Sequence, residues 1–318
     1  MSEFVTKIPV SFRRERMERG LNVLSLFDGI SCGQIALERA GVEVDKYFAS
    51  EINESAIKIT QKNYPKTIQL GNVESMNLKE LPKIDLLIGG SPCQSLSSSN
   101  VWLKDGEYGV NGEGKSRLFW EYVKALLTIK PTYFFFENVA SMRNIDRDII
   151  TGQLGVKPVM INSSQFSGQH RRRYYWTNIP FEIEDKRYVN TTMQDILESK
   201  VEDKYYLKQG TLDCIMRPAS KGWQSGKMEI DLQIARPITA SCWKIHRADT
   251  DNYVTTEYEP EGRTNVRRLI PLECERLQTL PDNYTEGISD KDRYEAVGNG
   301  WNVETVTHIF KSLNTYNI

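Results

Sequence analysis

Two residues in this chain are reactive in type and sit where α/β proteins put chemistry. Cys93 lies in the stretch GGSPCQSLSSS, Gly89 to Ser99, just past the apolar run KIDLLI. A packing cysteine belongs inside such a run; a thiol at its end, behind a proline and ahead of a polar loop, is placed to react. Glu137 follows a second apolar run, PTYFFF. If the two runs are neighbouring strands of a parallel sheet, about 4.8 Å apart, thiol and carboxyl open onto one crevice. A thiolate beside a carboxylic acid suits attack on a planar ring that must be protonated or hydrogen-bonded as it is attacked. An unperturbed thiol, with a pKa of about 8.5, is only a few per cent ionised at neutral pH, so such a site must assist it.

A second group of residues has the spacing of a nucleoside site. LNVLSLFDGISCG is a strand, then the turn Phe27-Asp28-Gly29-Ile30-Ser31, then a helix. A glycine in that turn lets backbone approach a ligand at the carboxyl edge of the sheet. The full G-x-G-x-x-G pattern is absent, which argues against a diphosphate cradle. Glu51 ends the second strand, roughly 20 residues on, where an acid commonly bonds ribose hydroxyls. Together these features fit an adenosine-containing cofactor without a diphosphate, and S-adenosylmethionine is such a molecule.

The elements that must carry these residues follow from hydrophobic periodicity. Apolar runs at 21–27 and 44–51, and in TIQLGNV, KIDLLIGG, PTYFFFENV, KPVMINSS and RRYYWTNI, read as strands. Helical spacing lies between them, in SCGQIALERAG, in NESAIKITQKNY with an Asn cap, and in SRLFWEYVKALLTIK, 116–130. Alternating strands and helices indicate an α/β fold with a doubly wound, mostly parallel sheet. Residues 181–264 lose that alternation and read as a smaller inserted domain; helical signal returns in PLECERLQTL and NVETVTHIFKSLN. The expected division is therefore 1–180 plus 265–318 for the larger domain and 181–264 for the smaller. Residues 95–115, with GEYGVNGEGK, exceed a plain connector and read as a mobile lid.

Composition narrows the class without choosing it. With 318 residues, 39% hydrophobic and 26% charged, the chain is an ordinary globular protein of at most two domains. No apolar run approaches the roughly 20 residues needed to span a bilayer, and the start, MSEFVTKIPVSFRRERMERG, has no secretory core and reads as a solvated arm or short helix. Five cysteines without regular spacing point to a reducing compartment. The formal net charge of −1 announces no nucleic acid, although HRRRYY, WKIHR and RTNVRR bunch basic residues.

The motifs FDGIS, SPCQ, FFFENV, GQHRRRYYW, RRLIPLECERLQTLP and YEAVGNG resemble, in order, those shared by cytosine-5 DNA methyltransferases. LGVKPVMINSSQFSGQHRRRYYWTNI and VGNGW look especially like the catalytic domain of de novo animal enzymes; a stand-alone bacterial or phage form is expected. The resemblance implies a Rossmann-like S-adenosylmethionine-dependent methyltransferase sheet with a target recognition domain at 181–264. It implies that Cys93 adds to C6 of a cytosine flipped out of duplex DNA. Glu137 then engages N3 and the exocyclic amine, and Arg171, with Arg173, supports the ring and positions Glu137. Phe27 should stack on the adenine, with Asp28 and Gly29 near the methionine end, Glu51 on the ribose, and Ile52 packed on the adenine; Ile30 and Ser31 also belong to the cofactor site. Asn72-Val73 stands where most of the family has Asp-Val or Asp-Ile, so weaker but retained binding is expected. Pro92, Asn299, Gly300 and Trp301 should complete the pocket. Ser99, six residues beyond Cys93, occupies the place of a side chain that enters the vacated base-pair gap. In ARPITASCWKIHR, 235–247, Thr239 should lie near the target base, and Arg236, Lys244 and Arg247 should contact phosphate or guanine. No metal is implied. A cytoplasmic, nucleoid-associated enzyme of restriction–modification or phage type is expected, monomeric by preference, with room for a restriction endonuclease partner.

Other readings weigh less. A transfer-RNA cytosine-5 methyltransferase shares these motifs, but SPCQ and VGNGW look more like the DNA branch. A catalytically silent DNA-binding accessory usually lacks the cysteine or the acid, and here both are present with Arg171. A zinc base deaminase needs P-C-x-x-C, and PCQSL lacks the second cysteine. Cys214, Cys242 and His246 lack the close pairs of a zinc site. Cys32 and Cys274 read as packing residues, and Glu273 with Arg276 as a helix-stabilising pair.

Overall fold

Leu21–Leu26 forms strand β1, and all six of its side chains are buried, as expected of a parallel strand covered on both faces. The computed structural model describes residues 20–97, 106–216, 229–244 and 250–315. In chain order β1 is followed by α1 (Cys32–Arg39), β2 (Val44–Ser50), α2 (Glu54–Asn63), β3 (Ile68–Gln69), β4 (Leu86–Gly89), α3 (Phe119–Ile129), β5 (Tyr133–Val139), α4 (Asn144–Leu154), β6 (Val159–Asn162) and β7 (Arg172–Thr177). Then come α5 (Gln209–Met216), β8 (Tyr253–Thr255), β9 (Val266–Arg268), α6 (Pro271–Leu277), α7 (Asp290–Asn299) and α8 (Val303–Thr315).

Contacts divide the described chain into two compact units. The first comprises residues up to Asn162, then Arg172–Glu184, and those from Thr305 on. Its seven strands run in the order β3-β2-β1-β4-β5-β7-β6. The pairings β3–β2, β2–β1, β1–β4 and β4–β5 are parallel; β7 is antiparallel to both β5 and β6. This is the doubly wound α/β sheet, with one reversed strand. The chain order changes direction at β1, between β2 and β4, and such a switch point opens a crevice at the carboxyl ends of the strands. One face is filled by Leu24, Leu26, Phe48, Leu87, Phe134, Phe136 and Trp176 against Phe119, Tyr122 and Leu126 of α3. On β5, Phe135 meets Phe310 of α8 edge-on, with ring centroids 5.1 Å apart. Asn53 caps α2 as its sequence implied, accepting from Ala56 N at 3.0 Å, a contact worth about 1 kcal/mol.

The second unit comprises Ser163–Arg171 and Asp185–Glu304. Its regular structure is sparse: α5, the antiparallel pair β8–β9, and the helices α6 and α7. A small core of Leu207, Ile215, Tyr253 and Val266 holds the pair against α5. The compact unit extends past 264, to Glu304, because α6 and α7 pack on each other and on its turns at Gln194–Ile196 and Cys242–Lys244. The Glu273–Arg276 pairing read from sequence is replaced by longer-range ones. Glu273 takes a bidentate grip from Arg267, both distances 2.8 Å and both side chains essentially unexposed. Arg276 instead reaches Asp282 and Glu198. Among the described residues no helix is long and apolar enough to cross a membrane, and no cluster of side chains could hold a metal ion.

Candidate active site

The turn after β1 is bent by three residues with left-handed backbone in five positions: Phe27 (φ 58°), Gly29 (φ 58°) and Ser31 (φ 57°). Among the described residues nothing lies within 4 Å of where a Cβ on Gly29 would be, so this glycine serves the backbone angle and leaves open space above it. The turn is fixed by the acid ending the next strand. Glu51 accepts Gly29 N on Oε2 at 2.8 Å, and the amides of Ile52 and Asn53 on Oε1, both at 2.8 Å. A carboxylate has about four acceptor sites, so the more lightly used Oε2 keeps capacity for a ligand hydroxyl. Beside it Ile52 is a large apolar side chain that is 70% exposed. Phe27 is half-buried, Ile30 is buried, and Val73 is buried beneath an Asx turn in which Asn72 Oδ1 accepts Glu74 N at 3.0 Å.

Asp28 is half-buried and receives Tyr47 Oη at 2.8 Å and the Ser31 hydroxyl. Desolvation raises its pKa to about 6 against the opposing hydrogen bonds from Ser31, Ser25 and Tyr47. It therefore holds a proton well above the usual carboxylate range, and a cationic group beside it would release that proton.

β4 and β5 are adjacent and parallel, with Gly89 opposite Phe136. Cys93 lies beyond the end of β4, half-buried against the core. Its carbonyl accepts Leu96 N and Ser97 N at 2.9 and 2.8 Å, so the chain turns immediately after the thiol. Glu137 sits within β5 rather than past its end, because β7 continues the pairing as far as Val139. Glu137 pairs with Tyr175, so Arg173, two residues earlier on β7, lies on its face of the sheet. Arg173 Nε meets Glu137 Oε1 at 2.8 Å, with side chains only 15% and 12% exposed. The next residue, Asn138, is buried and donates to Ser91 O at 3.0 Å, holding the segment that leads to Cys93. Sequence reading did not single out Asn138; within FFFENV it looked like one polar residue among several.

Arg171 belongs to the second unit, where it is buried and donates to the carbonyls of Ile238 (2.9 Å), Gly298 (3.0 Å) and Gly300 (2.8 Å). Gln169, also buried, accepts Ile238 N at 2.7 Å and donates to Leu277 O at 3.1 Å. A Cβ on Gly298 would stand 2.3 Å from the Thr239 carbonyl carbon, so the two backbones touch there. Thr239 is half-buried with its hydroxyl 3.3 Å from that of Ser241. Arg236 folds back, Nη2 on Glu229 at 2.7 Å and Nη1 on Asp251 O at 3.2 Å. Lys244 is exposed, its ammonium 5.5 Å from the Trp243 ring centroid. Asn299 is exposed, and Gly300 and Trp301 are half-buried. Ser99 and Arg247 lie outside the described residues, as do 98–105 of the expected lid. Residues 106–116 are tied down: Val110 is fully buried, its amide on Asp146 at 3.1 Å and its carbonyl on Trp120 Nε1 at 3.0 Å. Cys274 is buried, as read from sequence; a hydrogen bond with Cys242, then burial, raises its thiol pKa.

Comparison with known proteins agrees over nearly the whole chain. The C-5 cytosine-specific DNA methylase family matches residues 21–315. The type II methyltransferase M.NlaX of Neisseria lactamica is 26% identical, over 92% of this chain and 95% of its own length. The orphan methyltransferase M.SPRI of Bacillus phage SPR is 23% identical, over 93% of this chain and 98% of its own. Among solved structures, the S. pombe Dnmt2 methyltransferase superposes with a TM-score of 0.70 at 18% identity, over 94% of this chain and 99% of its own. The Entamoeba histolytica methyltransferase EhMeth gives 0.68 at 20%, over 94% and 98%. At such identities the structural likeness establishes the fold.

Proposed function

Since the chain belongs to the C-5 cytosine-specific DNA methylase family, we propose that it methylates C5 of a cytosine flipped out of duplex DNA. The observation that carries this reading is the pairing of two neighbouring strand ends, Cys93 past β4 and Glu137 on β5, with Arg173 gripping the carboxylate at 2.8 Å. The Cys93 thiolate adds to C6 of the ring while a proton held between Glu137 and N3 moves onto N3 and the carboxyl accepts from the exocyclic amine, so that negative charge does not build up unsupported on the pyrimidine. That addition makes C5 nucleophilic. S-adenosylmethionine, when bound, supplies the methyl group that C5 takes. Departure of the C5 proton to a base, with expulsion of the Cys93 thiolate and return of the N3 proton to Glu137, restores the ring and balances the reaction.

The residues around the first turn fit that cofactor. Open space over Gly29, the remaining acceptor capacity of Glu51 for ribose hydroxyls, and the exposed face of Ile52 for adenine meet its three requirements. Phe27, Ile30, Ser31, Asn72, Val73 and Pro92 line the same edge in this reading, with Asp28 facing the cationic methionine end. Asn299, Gly300 and Trp301 are assigned to the cofactor by motif alone. Arg173 takes the role of holding Glu137, and Arg171 that of ordering the backbone at 238 and 298–300. The second unit, with Thr239, Arg236 and Lys244, reads the target; Ser99 and Arg247 join it by sequence. Relatives named as type II and orphan methyltransferases support a restriction–modification or phage setting.

Cys93→Ser should abolish methyl transfer while S-adenosylmethionine still binds, and duplex DNA carrying 5-fluorocytosine at the target should trap a covalent adduct with the wild type, because no proton can leave C5. Undiminished transfer by the Ser variant would remove Cys93 as nucleophile. Labelled methyl transfer should go to duplex DNA, not transfer RNA; the reverse preference would reassign the substrate.

A further inference from the structure

Cys93 stands between two segments whose backbone polar groups are taken up by one side chain from elsewhere in the fold. Ser116, fully buried, donates its hydroxyl to Pro92 O at 2.7 Å and accepts Ser95 N at 3.1 Å. Those two groups belong to the peptide bonds immediately before Cys93 and immediately after Gln94. One hydroxyl thus spans the dipeptide that bears the thiol. The turn is closed from inside by Leu96 N and Ser97 N on Cys93 O, and from outside by Gly109 N on Ser95 O at 2.8 Å. Ser116 itself sits in the short 3-10 turn Lys115–Leu118 that runs into α3, and α3 buries Phe119, Tyr122, Val123 and Leu126 in the core. The hydroxyl is therefore mounted on one of the firmest posts of the first unit. Asn138 donates to the carbonyl of Ser91, two residues before Cys93.

We propose that Ser116 is a positioning residue for the Cys93 nucleophile: its hydroxyl fixes the peptide planes on either side of the Cys93–Gln94 dipeptide and so aims the thiol at C6. The inference rests on the reading of Cys93 as nucleophile. Its physical content is that a hydroxyl both donates and accepts here, and no apolar side chain can replace it. Removing it takes that partner from a part-buried carbonyl and a buried N–H, which the loop relieves by rotating those peptides. Attack needs reacting atoms about 3–3.5 Å apart, and a displacement of about 1 Å costs about a hundredfold in rate.

The test compares Ser116→Ala, Ser116→Thr and Cys93→Ser in the full chain. Ser116→Ala should lower kcat about ten- to a hundredfold and slow adduct formation on 5-fluorocytosine DNA by the same factor. KM for S-adenosylmethionine and Kd for duplex DNA should stay within about twofold, and Ser116→Thr should recover most of the loss. Alkylation of Cys93 by iodoacetamide should also change in rate, a readout that simple loss of stability would not move in folded protein. Should the Ala variant be too unstable to purify, Ser116→Cys, which fills the volume with a weak donor and acceptor, is read the same way. An Ala or Cys variant with wild-type kcat and adduct rate overturns the proposal, as does a loss shared equally by kcat and both binding constants. If Cys93→Ser still methylates, the nucleophile reading falls; if it is dead while Ser116→Ala is unaffected, only the role of Ser116 falls.

Discussion

The carboxyl edge of the sheet and the segment from Glu229 to Lys244 hold their polar side chains in opposite ways. At the sheet edge the groups that could do chemistry are gripped by residues distant in sequence: Glu137 by Arg173, Gly29 by Glu51, Ser91 by Asn138, Pro92 and Ser95 by Ser116. In the second region the side chains mostly satisfy near neighbours: Arg236 on Glu229, Thr239 on Ser241, Lys244 over Trp243. A covalent step tolerates errors of a fraction of an ångström, and only buried, multiply bonded partners secure that. A surface that reads DNA is finished by the DNA itself, and its cations need only be near the right place. On the proposed function the contrast is one between a built site and one completed by its ligand.

The largest expected break in that contrast is at Arg173. Arg173→Ala removes the cation from a carboxylate that is only 12% exposed. We expect kcat to fall about a hundredfold, the scale of a misplaced reacting group, with KM for S-adenosylmethionine unchanged and Arg173→Lys recovering part of the loss. Rapid-quench measurement of a single methylation turnover separates the chemical step from product release. A variant as fast as wild type would show that Glu137 needs no such grip, and the sheet edge would lose its distinction from the recognition segment.

How much of this was legible in the sequence follows the same division. The strands and their order along the chain were readable because buried strands are predominantly apolar, and β1, β4 and β5 are of that kind. The capping Asn53 and the turn at 27–31 were readable because turn chemistry is local. The partners of Glu137 and Arg171 were not. Which of the three arginines in HRRRYYW reaches Glu137 depends on β7 running antiparallel to β5, and a different register would change the choice. Ser116 and Asn138 escaped for another reason: in sequence a buried polar residue looks like a solvated one, and only the fold reveals that its partners are backbone groups. Glu273 shows the limit of local reasoning, since its helix neighbour Arg276 was the obvious partner and the buried Arg267 took its place.

A medium effect sharpens the sheet-edge side through pH. Asp28 titrates at about 6, raised from its ordinary value chiefly by desolvation. Between about pH 4 and 6 the ligand-free folded protein keeps a proton that the unfolded chain has lost, so this group stabilises the fold below about pH 4 and that contribution is lost as pH rises through 6. Binding of a cation runs the other way, because it requires the ionised form. If Asp28 faces the methionine ammonium, affinity for S-adenosylmethionine measured by calorimetry should rise about tenfold from pH 5 to pH 7 and then level off. Asp28→Asn should flatten the profile and bind at the low-pH level throughout. A wild-type profile already flat across pH 6 would place Asp28 outside the cofactor's reach.

The smallest effect probes the other side. Lys244 is exposed, projects beside Trp243, and makes no short ion pair among the described residues. That leaves its charge available to a phosphate, whereas Arg236 would first have to give up Glu229 and Asp251. A single phosphate contact acts mainly by releasing a counterion, so it contributes about one to the slope of log affinity against log salt and nothing to sequence choice. Lys244→Gln should therefore weaken duplex binding several-fold at low salt, flatten the salt dependence by about one, and leave kcat and the order of preference among target sequences as they were. If the substitution instead changed which sequence is methylated, Lys244 would be reading a base edge, and this region would be more tightly built than its hydrogen bonds imply. If it lowered kcat at saturating DNA, the separation between the built site and the ligand-completed one would fail at its weaker end, since a surface cation would then be taking part in aiming the base at Cys93.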